Sequence, residues 1–273
     1  MTEPARVADV ISALEARYPV GQAQSWDAVG LAVGSRTAEV GGILYTVDVT
    51  LEVVREAVSL GADLVVAHHP LLLRPVHAVD VDHPKGRIVA ELLAGGVSLY
   101  VAHTNADVPP GGVVDSLARA LGLVDPRPLA VTGAADVGLG RIGSLLEARS
   151  LRRFAQQVAE VLPVTGGGIR VSGDWEQPVR SVAVQAGAGD DLLDAARTAG
   201  ADVYLTSDLR HHPASEARAW TQGPALVDVP HWAAESLWLP VVRELVAADL
   251  AARGLSVPAE LSSVCTDPWN HRV

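Results

Sequence analysis

The sequence predicts an α/β protein of two interlinked α/β domains with related βαβ units, its metal-type ligands gathered at the C-terminal ends of strands. Three observations carry this. Val65-Val66-Ala67, Leu99-Tyr100-Val101-Ala102 and Leu226-Val227-Asp228-Val229 are short apolar runs bounded by turn residues, the signature of buried strands. Segments of helical periodicity alternate with such runs, which is the grammar of βαβ units. Finally, Gly61-Ala62-Asp63 returns as Gly200-Ala201-Asp202, 139 residues further on (63 to 202). The same offset aligns 41–48 with 180–187 and 51–60 with 190–199 without a gap, and so reads as a duplication.

Taken in order, Val7, Val10, Ile11 and Leu14 recur at helical spacing and predict a helix over about 5–17. Residues 41–49 read as a strand, 51–60 as a helix and 63–67 as the strand that completes a βαβ unit. A helix over 87–93 precedes the strand at Leu99, and another over 113–121 is closed by Gly122. Asp125-Pro126-Arg127-Pro128 reads as a domain boundary, and Thr165-Gly166-Gly167-Gly168 as a turn or flexible loop. Between them Ser150 can cap a helix through Leu151, Phe154, Val158 and Leu162. The first domain is therefore expected over 1–125, completed by 226–273 and carrying the metal site, and the second over 126–225.

Composition narrows the function. With 273 residues, 49% of them hydrophobic, the chain can bury one large core or two medium ones. No run of 18 apolar residues suggests a membrane span, and the N-terminus lacks the basic and apolar regions of a signal peptide. A single cysteine, Cys265, excludes an internal disulfide and fits a reducing cytoplasm. The formal charge of −11, with Lys85 as the only lysine, argues against non-specific binding to nucleic acid or an anionic membrane.

The chemistry lies where the strands end. His68-His69-Pro70 follows one strand; both imidazoles reach a single cluster only if the chain turns there, and Pro70 supplies the break. His103 and Asp107 follow the second on a polar loop ended by Pro109-Pro110-Gly111-Gly112. Imidazole and carboxylate suit divalent Zn, Fe, Ni or Mn, although Asp107 could equally cap a helix and His103 could orient Asp107 or a water. His231 and Glu235 stand four apart, on one face if the segment is helical, where the glutamate could bridge two ions. Asp208, Arg210, His211, His212 and Glu216 form a fourth polar cluster, which could be a second, weaker metal site but reads better as the substrate side of the pocket, with His103 or His212 relaying protons. Gly138-Leu139-Gly140-Arg141-Ile142-Gly143 spells GxGxxG without the strand–helix context of dinucleotide binding; it reads as a turn, with Arg141 offered to an anion. His77, His83 and His271 read as surface residues.

These segments, in this order, resemble the Nif-three-like dinuclear metal-centre family, the GTP cyclohydrolase type 2 homologues. Ser25-Trp26-Asp27-Ala28-Val29-Gly30-Leu31-Ala32-Val33-Gly34 is similar to its WDNVGLxVG segment, with Ala28 in place of Asn. Asp48-Val49-Thr50, His68-His69-Pro70, the 103–107 segment, the GxGRxG segment and His231 with Glu235 match its remaining motifs. Thr206-Ser207-Asp208-Leu209-Arg210-His211-His212 matches its TGDxKxH, with Ser207 for Gly and Arg210 for Lys. The resemblance implies two divalent ions per subunit on His68, His69, Asp107, His231 and Glu235, with Glu235 the bridge. It also implies a homohexamer of two-domain subunits. Two functions compete on this reading. One is a metal-dependent hydrolase of a nucleotide or similar small molecule, with Arg141, Asp208 and Arg210 at the substrate; the other is a non-catalytic metal carrier or interaction protein.

Overall fold

The computed structural model describes residues 4–273. The chain forms two compact units, Met1–Ala106 with Leu239–Thr266, and Asp107–Trp238 with Asp267–Val273. In chain order the elements run α1 (Val7–Arg17), β1 (Gly30–Val33), β2 (Ile43–Thr46), α2 (Leu51–Leu60), β3 (Leu64–Ala67), α3 (Pro84–Ala94), β4 (Ser98–Val101) and α4 (Thr104–Asp107). There follow α5 (Val113–Ala120), β5 (Val124–Val131), β6 (Gly138–Ser150), α6 (Leu151–Val161), β7 (Arg170–Ser172), β8 (Pro178–Ala188) and α7 (Leu193–Thr198). The remainder is β9 (Val203–Ser207), α8 (His211–Ala219), β10 (Ala225–Asp228), α9 (His231–Ser236), α10 (Trp238–Ala252) and β11 (Ala259–Leu261).

The first unit holds a five-stranded sheet in the order β1-β4-β3-β2-β11, parallel except where β1 joins β4. β2, β3 and β4 are buried at every position, as strands covered on both faces must be. Val53, Val54 and Ala57 of α2 and Ile88, Val89 and Leu92 of α3 pack against Leu44, Val65 and Leu99. Local chemistry sets the helix ends: the Thr50 hydroxyl accepts from Val53 N at 3.2 Å to start α2, and Pro84 occupies the first turn of α3.

The second unit holds six strands in the order β5-β6-β8-β9-β10-β7. Its centre, β8-β9-β10, is parallel, with antiparallel strands added on both sides. Leu192, Leu193 and Ala196 pack against Ile142, Ala183, Tyr204 and Leu226.

The repeat is visible in the hydrogen bonds of each unit. Gly61 and Gly200 both end their helices in the left-handed region, at φ +68° and +71°. Asp63 Oδ2 accepts from Gly41 N at 2.7 Å, and Asp202 Oδ2 accepts from Arg180 N at 2.8 Å, 139 residues on. The bonds Ala62 N to Ala57 O and Ala201 N to Ala196 O repeat in the same register.

Some boundaries differ from the sequence expectation. Asp125-Pro126-Arg127-Pro128, read as a boundary, lies in β5; prolines are tolerated there because β5 is an edge strand. Residues 138–143 open β6 rather than a free turn, with Gly140 at φ +61° inside the strand. The unit boundaries fall at 106/107, 238/239 and 266/267, where 125/126 and 225/226 were expected. α5 packs on β6 and β8, and β10 pairs with β9, so both belong to the second unit. Among the described residues, no helix is long and apolar enough to cross a membrane, and Cys265 is exposed.

Candidate metal centre

In the first unit the parallel ladder extends past β3: His68 N and His69 N bond to Thr46 O and Val47 O before Pro70 ends it. His68 is buried and its Nδ1 donates to Ala102 O at 2.9 Å. His69 Nδ1 donates to Asp48 Oδ1 at 2.8 Å, and His103 Nδ1 to Asp27 Oδ1 at 2.8 Å. A carbonyl or an ionised carboxylate can only accept, so each contact places a proton on Nδ1; in the neutral ring the lone pair then belongs to Nε2. The three imidazoles lie with centroids 4.9–5.5 Å apart, and their ligand atoms fall within 4.8 Å of one another. Three imidazoles crowded together, each oriented by an oxygen behind it, could hold a divalent transition metal.

Asp27 is the most heavily used acceptor. Besides His103 it takes Thr104 N at 3.0 Å and Thr104 Oγ1 at 2.5 Å. Burial alone would raise its pKa; the bonds from His103 and Thr104 outweigh that and hold it far below the usual carboxylate range. Asn105, fully buried, accepts from His103 N and donates to Tyr18 O at 2.8 Å, which fixes the start of α4. Asp48 is in turn tied by Thr266 Oγ1 at 2.5 Å.

In the second unit His231 opens α9 and Glu235 sits one turn later, 3% exposed. His231 Nδ1 meets Asp208 Oδ2 at 2.7 Å and its Nε2 meets Glu235 Oε1 at 2.9 Å. The hydrogen bond from His231 lowers the pKa of Asp208, more than burial raises it. Asp208 reaches that position because the chain turns after β9 with a positive φ of 56°, a conformation Asp tolerates better than most residues. Gly187 of β8 keeps the space open: a Cβ there would lie 2.6 Å from Glu235 Oε1 and 3.1 Å from His231 Nε2. Asp107 closes α4, 8% exposed.

Other expected site residues stand elsewhere. Arg141 is 1% exposed and cannot meet an anion: Nε bonds Asp115 Oδ1 at 2.9 Å, Nη1 bonds Gly138 O and Gly140 O, and Nη2 bonds Val108 O. It is a structural clamp that ties β6 to Asp115 of α5 and to Val108 O. Asp208 supports His231, and Arg210 is ion-paired with Asp190. His212 is exposed on α8, ring to ring with His211 at 5.3 Å. His77, His83 and His271 are exposed, and His83 Nδ1 accepts from Lys85 N at the start of α3. Sequence reasoning missed the duties of Asp27 and Asp48. Both lie in quoted motifs, but no spacing links them to His103, 76 residues away, or His69, 21 away.

Fold and side chains together define an α/β protein with His and Glu groups suited to a divalent metal. A family model for Duf34/NIF3 (NGG1p interacting factor 3) matches residues 5–268, and the chain belongs to that family. It is similar to the GTP cyclohydrolase 1 type 2 homolog of Streptomyces coelicolor, 48% identical over 98% of this chain and 95% of that protein. Among solved structures, a Bacillus cereus protein related to NIF3 superposes with a TM-score of 0.91 at 28% identity, covering 98% and 99% of the two chains. A Staphylococcus aureus hypothetical protein gives 0.91 at 27% identity over 99% and 100%.

Proposed function

We propose that this chain is a dinuclear divalent-metal protein and a metal-dependent hydrolase of a nucleotide or similar small molecule. His68, His69, Asp107, His231 and Glu235 serve as ligands in this reading. The observation that carries it is ring orientation: Ala102 O and Asp48 accept from Nδ1 of His68 and His69, which favours Nε2 as the ligand atom, and Asp27 orients the relay His103 in the same way. The donor set fits the group. It is all nitrogen and oxygen, it includes a buried carboxylate on α9, and the missing side chain of Gly187 leaves room beside that carboxylate.

Bound divalent ions would act as Lewis acids and lower the pKa of water toward neutrality. The chain's own residues do the rest. Glu235 offers two carboxylate oxygens from one turn of helix and would hold both ions. Asp48 and Asp208 fix the rings of His69 and His231 from behind. His103, oriented by Asp27, takes the proton-relay role at Nε2. His212 takes no role in this reading. By family membership we further propose a homohexameric assembly.

Elemental analysis of protein purified without added metal or chelator, paired with a GTP turnover assay, tests the proposal. Two ions of Zn, Fe, Mn or Ni per chain, with turnover abolished in His69→Ala, is the expected result. Two ions without turnover of GTP or other nucleotides would overturn the hydrolase reading while keeping the centre. Less than one ion after reconstitution would overturn the centre itself.

A further inference from the structure

A cavity of about 530 Å³ lies in the second unit between α8 and the edge strand β7, in the size range of small-molecule sites. Its floor is apolar, made by Val171, Leu209 and Leu226, and its rim carries Arg170, Arg210 and Arg218. In a chain of net charge −11 this concentration of guanidinium runs against the bulk. Asp228 lines the same cavity, but both its oxygens are taken. Oδ1 accepts from Leu209 N at 3.1 Å, and Oδ2 receives Nε and Nη2 of Arg170.

The three arginines are anchored on one side and unspent on the other. Arg210 pairs through Nε with Asp190, which leaves both its terminal nitrogens without an acceptor among the described residues. Among the described residues Arg218 uses only Nη1, on Gly223 O and Pro224 O, leaving Nε and Nη2. Arg170 keeps Nη1. Guanidinium forks already held in place lose little rotamer freedom when they take a phosphate, and they match its oxygens two at a time. We propose that this groove binds a phosphorylated small molecule with a flat apolar body, of mononucleotide size. Its phosphate would meet the guanidinium rim and its body the Val171–Leu209–Leu226 floor. The site is separate from the proposed metal ligands, none of which lines it.

Calorimetric titration of the metal-loaded protein with AMP, adenosine and inorganic phosphate tests this. AMP should bind saturably and at least tenfold more tightly than adenosine or phosphate, because only AMP engages rim and floor together. The double variant Arg210→Gln/Arg218→Gln should weaken AMP at least tenfold with metal content unchanged. Arg210→Lys should give part of that loss, since it keeps the charge but not the fork. His231→Ala should bind AMP as the parent does. No saturable binding of AMP up to about 10 mM would overturn the proposal. So would affinity that survives the double arginine change, or affinity lost in His231→Ala, which would place the anion at the imidazoles instead.

Discussion

At the scale of single residues, much of the chemistry of this chain rests on acceptors that stand behind histidines. Asp48 contributes no ligand atom in the proposed centre, yet it decides which nitrogen of His69 carries the proton and how the ring points. Asp48→Ala should therefore weaken metal binding by about 10–100-fold, the usual cost of losing such a support. Competition against a chromogenic chelator reads it, and unchanged affinity would remove Asp48 from the site. Arg141 behaves in the opposite way: an arginine in a glycine-rich segment looks like an anion contact, but here every nitrogen faces protein. Arg141→Met would leave Asp115 without its buried partner, although Arg119 at 3.4 Å and Gly111 N still contact it. The expected loss is about 3 kcal/mol of stability by urea unfolding, with metal content preserved.

At the scale of elements, the two βαβ units give paired predictions. Gly61 and Gly200 occupy the same left-handed cap, and a Cβ at either would meet nothing within 4 Å. Gly61→Ala and Gly200→Ala should then cost only the backbone term, about 1–2 kcal/mol each. A much larger loss at one would show that the two caps are not equivalent. Glu56 on α2 ties down the segment after β11 through Ser262 Oγ at 2.5 Å, Ser263 Oγ at 2.6 Å and Ser263 N at 2.9 Å. Burial raises its pKa, but these bonds outweigh that and leave it lowered. A depressed folded pKa means stability that is present above the ordinary glutamate value and lost as pH falls through the folded one. Glu56→Gln should be about 1 kcal/mol less stable at pH 7, and the gap should shrink in acid. A gap independent of pH would assign the effect to packing alone.

These elements also show what could be read in advance. α2, β3 and the repeat were legible because apolar runs and Gly-Ala-Asp caps are local signals. β5 and β6 were not, because Pro126, Pro128 and three glycines are turn residues in isolation. Only pairing at a sheet edge, and a left-handed Gly140 within a strand, explains them. In the same way His68, His69 and His231 stood out by type and position, whereas Asp27 finds His103 only through the fold.

At the scale of the whole molecule, metal content and stability should be linked. Ions that bind the folded chain and not the unfolded one stabilise it by RT ln(1 + [M]/Kd), about 1.4 kcal/mol for each tenfold rise in free metal beyond Kd. The His and Glu groups come from strand ends and a helix far apart in sequence, so the unfolded chain holds them dispersed and little offsetting affinity is expected. The net charge of −11 works the same way, since self-repulsion in the compact state is relieved by each divalent cation taken up. Chelation should therefore lower the melting temperature, and stepwise return of Zn or Mn should restore it in proportion to the logarithm of free metal. Glu235→Ala should hold fewer than two ions and show a flatter response if, as proposed, its carboxylate serves both. Light scattering on the same samples should report six times the 28.5 kDa chain mass. If melting were insensitive to chelation in protein shown to have been loaded, the histidine cluster would be a rigid feature of the fold rather than its metal centre. The three oxygen acceptors behind His68, His69 and His103 would then have to be explained as ordinary satisfaction of buried polar groups.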